Sequence, residues 1–350
     1  MAASLRIRRG FSLVELMIAL AIGMFVVAAL YNLFTGQVRQ FIYQDLQMEM
    51  HQSMRLALDM TARTARLAGY GTSGTTLGVF GSGGSQDNAL PAIISYNGTG
   101  PNGSDAITLV TMDPSLVMNT AATFPPSCGT TTLTFDPAEL HNASRLAQYH
   151  SGELVMCYDY AAIGGFRSFL WPITADADAA LGEITISSGS GYLDFDTECN
   201  VTDNLPKRMS CSRAEVVTFY IDADDTDGYG AGSADHPVLM MDLDFESPDA
   251  DDVPLVDNVE DMQITYCLAS SDCSDAASWV NTIATDEADD VYMIRISFVV
   301  RSSREDLGRM HPGQRPALED NGASSSTDHY FRQVLSTEVT VRNMRIQAQL

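Results

Sequence analysis

Six cysteines, at positions 128, 157, 199, 211, 267 and 273, are the residues best able to form covalent bonds in this 350-residue chain. Outside a reducing compartment an even set of thiols forms disulfides, whereas structural metal sites use closer ligand spacing such as Cys-x-x-Cys. That spacing is absent. Disulfides are therefore expected, joining neighbours along the chain: Cys128 with Cys157, Cys199 with Cys211 and Cys267 with Cys273. A second group is Asp222-Ala-Asp224-Asp225-Thr-Asp227-Gly228. Calcium takes carboxylate and carbonyl oxygens, and a glycine permits the sharp turn around it. Asp222, Asp224, Asp225 and Asp227 are thus the candidate calcium ligands. The EF-hand spacing is not met, since with Gly228 as the turn glycine the first ligand position holds Ala223 and the distal one Ala234. A solvated acidic turn between two strands is the favoured alternative. No other cofactor is expected.

A third residue stands out by where it lies. Glu15 sits inside Phe11–Phe34, a stretch that is apolar or glycine throughout Leu16–Leu30. About 20 such residues cross a bilayer as a helix, and an unpaired carboxylate there is costly unless it meets a cation. Arg6, Arg8 and Arg9 precede the run with no acid among them, which puts that end in the cytoplasm and the rest of the chain across the membrane. A plain anchor or a cleaved signal peptide, with Val26-Val27-Ala28 as its cleavage site, is the competing reading. Catalysis finds no support: there is no Walker A, His-Glu-x-x-His or Gly-x-Ser-x-Gly sequence, and the six histidines are scattered. The chain is expected not to be an enzyme.

These residues need elements to hold them. Past Phe34, Val38, Phe41, Ile42, Leu46, Met50, Met54, Leu58, Ala62 and Ala65 recur at mostly three- and four-residue spacing, and no proline occurs before Pro91. This periodicity predicts one helix over 11–68, transmembrane over about 11–34 and amphipathic beyond, stopping at Gly69 and Gly71. Residues 69–104 are glycine-rich and read as a long connection or loose hairpins. Then follow β-branched or alternating runs: Ala106–Met112, Thr130–Phe135, Glu153–Tyr158, Glu183–Ser187, Glu215–Ile221, Val238–Phe245, Met262–Cys267, Val291–Val300 and Val334–Val341. They predict an antiparallel β body over 69–350, with one short helix at Asp136–Ser144 and an inter-sheet linker near Glu246–Asp261. The fold class is α+β, a long N-terminal helix packed on an antiparallel β-rich domain.

Charge follows the same division. The formal net charge is −25, yet residues 1–70 hold seven Arg against four acids, and no Lys or Arg lies between Arg213 and Arg295. An acidic body repels phosphate, so nucleic acid is not an expected partner of it.

Arg9-Gly10-Phe11-Ser12-Leu13-Val14-Glu15-Leu16 resembles the processing signal of type IV pilins and type II secretion pseudopilins. The resemblance implies that a prepilin peptidase removes residues 1–10 by cutting between Gly10 and Phe11 and methylates the new Phe11 amine. It also implies that Glu15 pairs with that amine on a neighbouring subunit, which satisfies the carboxylate in hydrocarbon. Farther on, Val259-Glu260-Asp-Met262-Gln-Ile-Thr-Tyr266 and Tyr330-Phe-Arg332-Gln, leading to Val339-Thr-Val341-Arg342-Asn343, resemble PilW-type minor pilins.

As a member of that group the chain would be a structural subunit that helps initiate a type IV pilus and sits at or near its tip. Its implied partners are other minor pilins, the major pilin, the prepilin peptidase, the inner-membrane assembly platform and a tip adhesin. It would lie in the inner membrane with a periplasmic body before assembly, and in the extracellular pilus afterwards. A type II secretion pseudopilin of the GspJ kind shares the N-terminal signal, and a secreted adhesin or binding module remains the alternative from another class.

Overall fold

A computed structural model describes residues 12–71, 91–121, 132–136, 138–139, 141–159, 167–186, 189–190, 193–194, 209–223, 236–243, 252–284, 287–306 and 313–341. Its first element is helix α1, Leu13–Leu67. With proline absent and only Gly23 and Gly36 inside, nothing interrupts 55 residues of helix, about 83 Å at 1.5 Å per residue. The chain divides into two compact units, Met1–His51 and Gln52–Leu350. Within the second, Met54, Ala57, Thr61, Ala65 and Ala68 recur every three or four residues and are buried. Thr61 is accommodated because its hydroxyl donates to the Ala57 carbonyl at 2.7 Å. The helix ends at Gly69 and Gly71, both at positive φ (76° and 79°). A Cβ on Gly71 would lie 1.8 Å from the Met112 sulfur, so glycine is required there for space as well as for conformation.

The body is built of strands, all paired antiparallel. They are β1 Ile93–Tyr96, β2 Ala106–Met112, β3 Met118–Asn119, β4 Thr132–Thr134, β5 Leu154–Asp159, β6 Arg167–Asp178, β7 Glu183–Ile186 and β8 Gly189–Ser190. After these come β9 Leu193–Asp194, β10 Ser210–Asp222, β11 Val238–Asp242, β12 Val253–Asp257, β13 Val259–Leu268, β14 Trp279–Val280, β15 Val291–Arg301 and β16 Arg332–Thr340. One short helix, α2, covers Asn142–Leu146.

Ten strands form one sheet in the order β1-β2-β10-β5-β6-β7-β4, with β3 and β11 also on β10 and β12 on β11. The length of β10 lets it serve several partners, β5 and β3 at its start, β2 in its middle and β11 at its end. Four strands form a second sheet, β14-β13-β15-β16. In the ten-stranded sheet one face packs Leu133, Phe135, Tyr149, Val155, Trp171 and Ile184 into an apolar core. The other face holds Val110, Met112, Met156 and Val216 with Tyr70 from the end of the helix region.

The structure revises several expectations. Cys157 bonds to Cys211, its directly opposite residue in the β5–β10 register, so neither Cys128–Cys157 nor Cys199–Cys211 can form. Partners across a ladder are set by strand register, which order along the chain does not reveal. Cys267 bonds to Cys273. Cys128 and Cys199 lie outside the described residues.

The expected linker near Glu246–Asp261 contains a strand instead. β12 pairs with β11 despite Pro254, and the chain changes sheet at one residue, Asn258, which takes a positive φ of 63°. The expected helix at Asp136–Ser144 is shorter and later, since His141 takes a left-handed conformation and α2 begins only at Asn142. β6 is a further strand, formed although Pro172, which argues against one, lies in its middle.

Candidate assembly site

Glu15 lies in the first turn of α1. The Ser12 N–H donates to its carboxylate at 3.4 Å, while the Ser12 hydroxyl accepts from the Val14 N–H at 3.3 Å. This reciprocal start resembles a capping box, and the positive end of the helix dipole favours an acid there. Around it the surface is apolar and open. Leu13, Val14, Leu16, Met17 and Ile18 are all exposed, and none of the most apolar 18-residue window of the helix is buried. The exposed Glu15 carboxylate thus lies near the start of an open apolar segment, where a cation brought beside it would be held more strongly in a low dielectric. Gly10 and Phe11, the expected cleavage and methylation positions, lie outside the described residues.

Farther along α1, Phe41, Met48, Leu56 and Leu67 are exposed. Their spacings of 7, 8 and 11 are close to whole helical turns, so the four share one side. The buried row Met54, Ala57, Thr61, Ala65 lies roughly opposite. Of the expected stripe, Met54 and Ala65 lie on the buried row and Phe41 on the open one; Met48, Leu56 and Leu67 lie outside that stripe.

The second constellation lies in the four-stranded sheet, and the sequence motifs fall within it. Alternation along β13 turns Met262, Ile264 and Tyr266 to one face and Asp261, Gln263 and Thr265 to the other, and all six are buried. The polar face is covered by the connection between β15 and β16. Arg315 donates to Asp261 at 2.5 Å, to the Asn321 side chain at 3.2 Å and to the Gly322 carbonyl at 2.8 Å. Asn321 also donates to Asp261 at 3.0 Å and to the Asn102 carbonyl at 3.0 Å. Burial pushes the Asp261 carboxyl up, against the hydrogen bonds from Gln263 and Asn321 and the charge of Arg315.

A second clamp joins Arg332 to Glu260 through two bonds of 2.5 and 2.9 Å, and to Asp328 at 2.7 Å. Glu260 and Arg332 come from the two motifs singled out in the sequence. The sequence does not single out Asp261, Arg315 or Asn321, and its one signal for them is an acid placed mid-strand within Val259–Tyr266.

Asp105 bridges the two sheets. Its N–H donates to the Met262 carbonyl at 2.8 Å, and its carboxylate accepts from the N–H groups of Gly98 and Ile264, each at 2.8 Å. Burial outweighs those two bonds, and its pKa is pushed up to about 6.

Asp222, the first candidate calcium ligand, is the last residue of β10 and is buried, not part of a solvated turn. Asp224, Asp225 and Asp227 lie outside the described residues. Among the described residues no three His, Cys, Asp or Glu side chains are grouped to hold a metal ion.

Comparison with known proteins adds the following. Residues 5–31 match the prokaryotic N-terminal methylation motif. Residues 218–343 match the model of type IV pilus-assembly protein W, from the end of β10 through the whole four-stranded sheet. No curated protein matches the chain. Among solved structures a type IV-like pilin from Thermus thermophilus is similar at 9% identity, covering 84% of this chain and 96% of its own, with a TM-score of 0.34. The methylation motif thus covers the open apolar start of α1 with its lone acid, and the pilus-assembly match covers the sheet that the Arg332 and Arg315 clamps hold together.

Proposed function

We propose that this chain is a minor subunit of a type IV pilus, which helps to start fibre assembly and lies at or near the tip. The observation that carries the reading is the open apolar segment of α1 with Glu15 in its first turn. Such a surface is tolerated only in lipid or against other helices. The subunit waits in the inner membrane, and its helix then exchanges lipid contacts for helix contacts within the fibre. Glu15 sets its register by pairing with the Phe11 amine of a neighbour after a prepilin peptidase has cut behind Gly10. The body supplies lateral surfaces to other minor pilins, to the major pilin and to a tip adhesin. No chemical step is assigned to it.

Mass spectrometry of the protein from cells tests the processing: an N-methylated Phe11 terminus is expected, and a terminus at Ala29 would sink the reading. Replacing Glu15 by Gln is expected to remove the protein from sheared fibres while leaving its amount in the membrane unchanged. Immunogold labelling at fibre ends supports the tip position, and labelling along the shaft contradicts it. A type II secretion pseudopilin would instead be encoded among secretion genes.

A further inference from the structure

We propose that the outer edge of β16 is a strand-addition site that takes an extended, basic segment of a different subunit in the fibre. This rests on the fibre-subunit reading above. The phase of the strand decides which groups are free. The Val341 N–H donates to the Tyr292 carbonyl at 3.0 Å, so odd-numbered residues of β16 bond toward β15. Val334, Ser336, Glu338 and Thr340 therefore turn their N–H and C=O groups outward, and among the described residues none of these backbone groups is bonded.

The other sheet edges among the described residues are blunted. β1 has four residues, β4 three and β14 two. β12 carries Pro254 and a register shift against β11. β16 runs for nine residues in unbroken register, with no proline and no lysine. Its successive residues Val334 and Leu335 point to opposite faces and are 42% and 37% exposed, so both faces of the edge are open. A long, regular edge without a proline or a register shift pairs with another chain unless it already has a partner.

The edge also specifies the partner's chemistry. One row of an added strand would lie beside Leu335 and Thr337 and must be apolar. The other would lie beside Val334, Ser336 and Glu338, whose carboxylate already accepts from Arg295 at 3.0 Å, and must be polar. A second copy of this chain brings net charge of the same sign, −25, and is repelled, whereas a basic segment of another subunit is attracted.

The test uses the full-length protein in piliated cells, with a benzophenone amino acid in place of Leu335 as photo-crosslinker. Irradiated fibres are expected to yield an adduct with a basic, alternating segment of another fibre subunit. Val334→Pro deletes an outward N–H and leaves the β15 ladder intact, so it should lower the adduct about tenfold, equivalent to about 1.4 kcal/mol. Val334→Lys, an edge charge that does not restrict the backbone, should do the same, and Val334→Thr should have no effect. All three should melt with the parent.

Adducts within the same chain to residues 342–350, adducts to a second copy, no adduct, or an adduct that survives both Pro and Lys would each overturn the proposal. Absence of the parent protein from fibres would count against the fibre reading instead, and the membrane fraction would still report on the edge.

Discussion

The ten-stranded sheet has apolar residues on both faces and a disulfide that joins residues 54 apart, whereas the four-stranded sheet buries one apolar face and one polar face. Its polar face is closed by a strap whose contacts are arginine to carboxylate. The difference has an energetic meaning. Apolar burial degrades gradually as side chains are trimmed, because each methylene contributes separately. A buried ion pair does not, because removing one member leaves the other charged and unsolvated. The first sheet should therefore tolerate substitution better than the second.

Arg315→Ala should give the largest loss. It strands Asp261, and unfolding of the detergent-solubilised full chain in urea should show a destabilisation of about 3–5 kcal/mol. Replacing both partners, Arg315→Met with Asp261→Leu, should recover much of it, and a double variant as unstable as the single one would refute the clamp. On the other side of the comparison, Cys157→Ala with Cys211→Ala opens the long loop, and chain entropy puts the loss at about 4 kcal/mol.

Asp105 joins the two sheets, so its titration reports on both. Its folded pKa of about 6 lies above the ordinary 3.8, so the folded state binds the proton more tightly. Its contribution is complete below about pH 4 and is lost as pH rises through about 6, by up to about 3 kcal/mol at 1.4 kcal/mol per unit. Compared with the parent, Asp105→Asn should lose that part of the decline between pH 4 and 7, and an identical pH profile would contradict the assignment. The smallest effect is expected from Cys267→Ala with Cys273→Ala, about 2 kcal/mol for a six-residue separation, measured in the same urea series.

Much of this was legible in the sequence because it is periodic. The helix was expected over 11–68 and is observed over Leu13–Leu67, since apolar spacing and the absence of proline are local signals. Ala106–Met112 was placed to the residue. What escaped was non-local. β6 and β12 contain prolines that ordinarily exclude a strand, and ladder partners tolerate them here. The Cys157–Cys211 bond follows from register, and register follows from the whole sheet.

In the candidate site Glu15 is legible from its setting alone, an acid in an apolar run. Arg315 and Asn321 could not, because their partner Asp261 lies more than 50 positions away in the chain and no short pattern links them. The motif residues Glu260 and Arg332 are a middle case: each belongs to a recognisable motif, and only the fold joins them.

The end of α1 has a mechanical consequence. The Gly69 N–H donates to the Val110 carbonyl, the Met112 N–H to the Tyr70 carbonyl, and the Thr111 hydroxyl to the Leu67 carbonyl. Tension along the helix therefore passes directly into β2. That strand pairs with β1 over Ala106–Leu109 and with β10 over Ile107–Met112, so at the attachment point, Val110–Met112, the pull passes into the β10 ladder. A subunit pulled by its helix would give way first in the connections around the sheet, with the β2–β10 ladder the last part to part company.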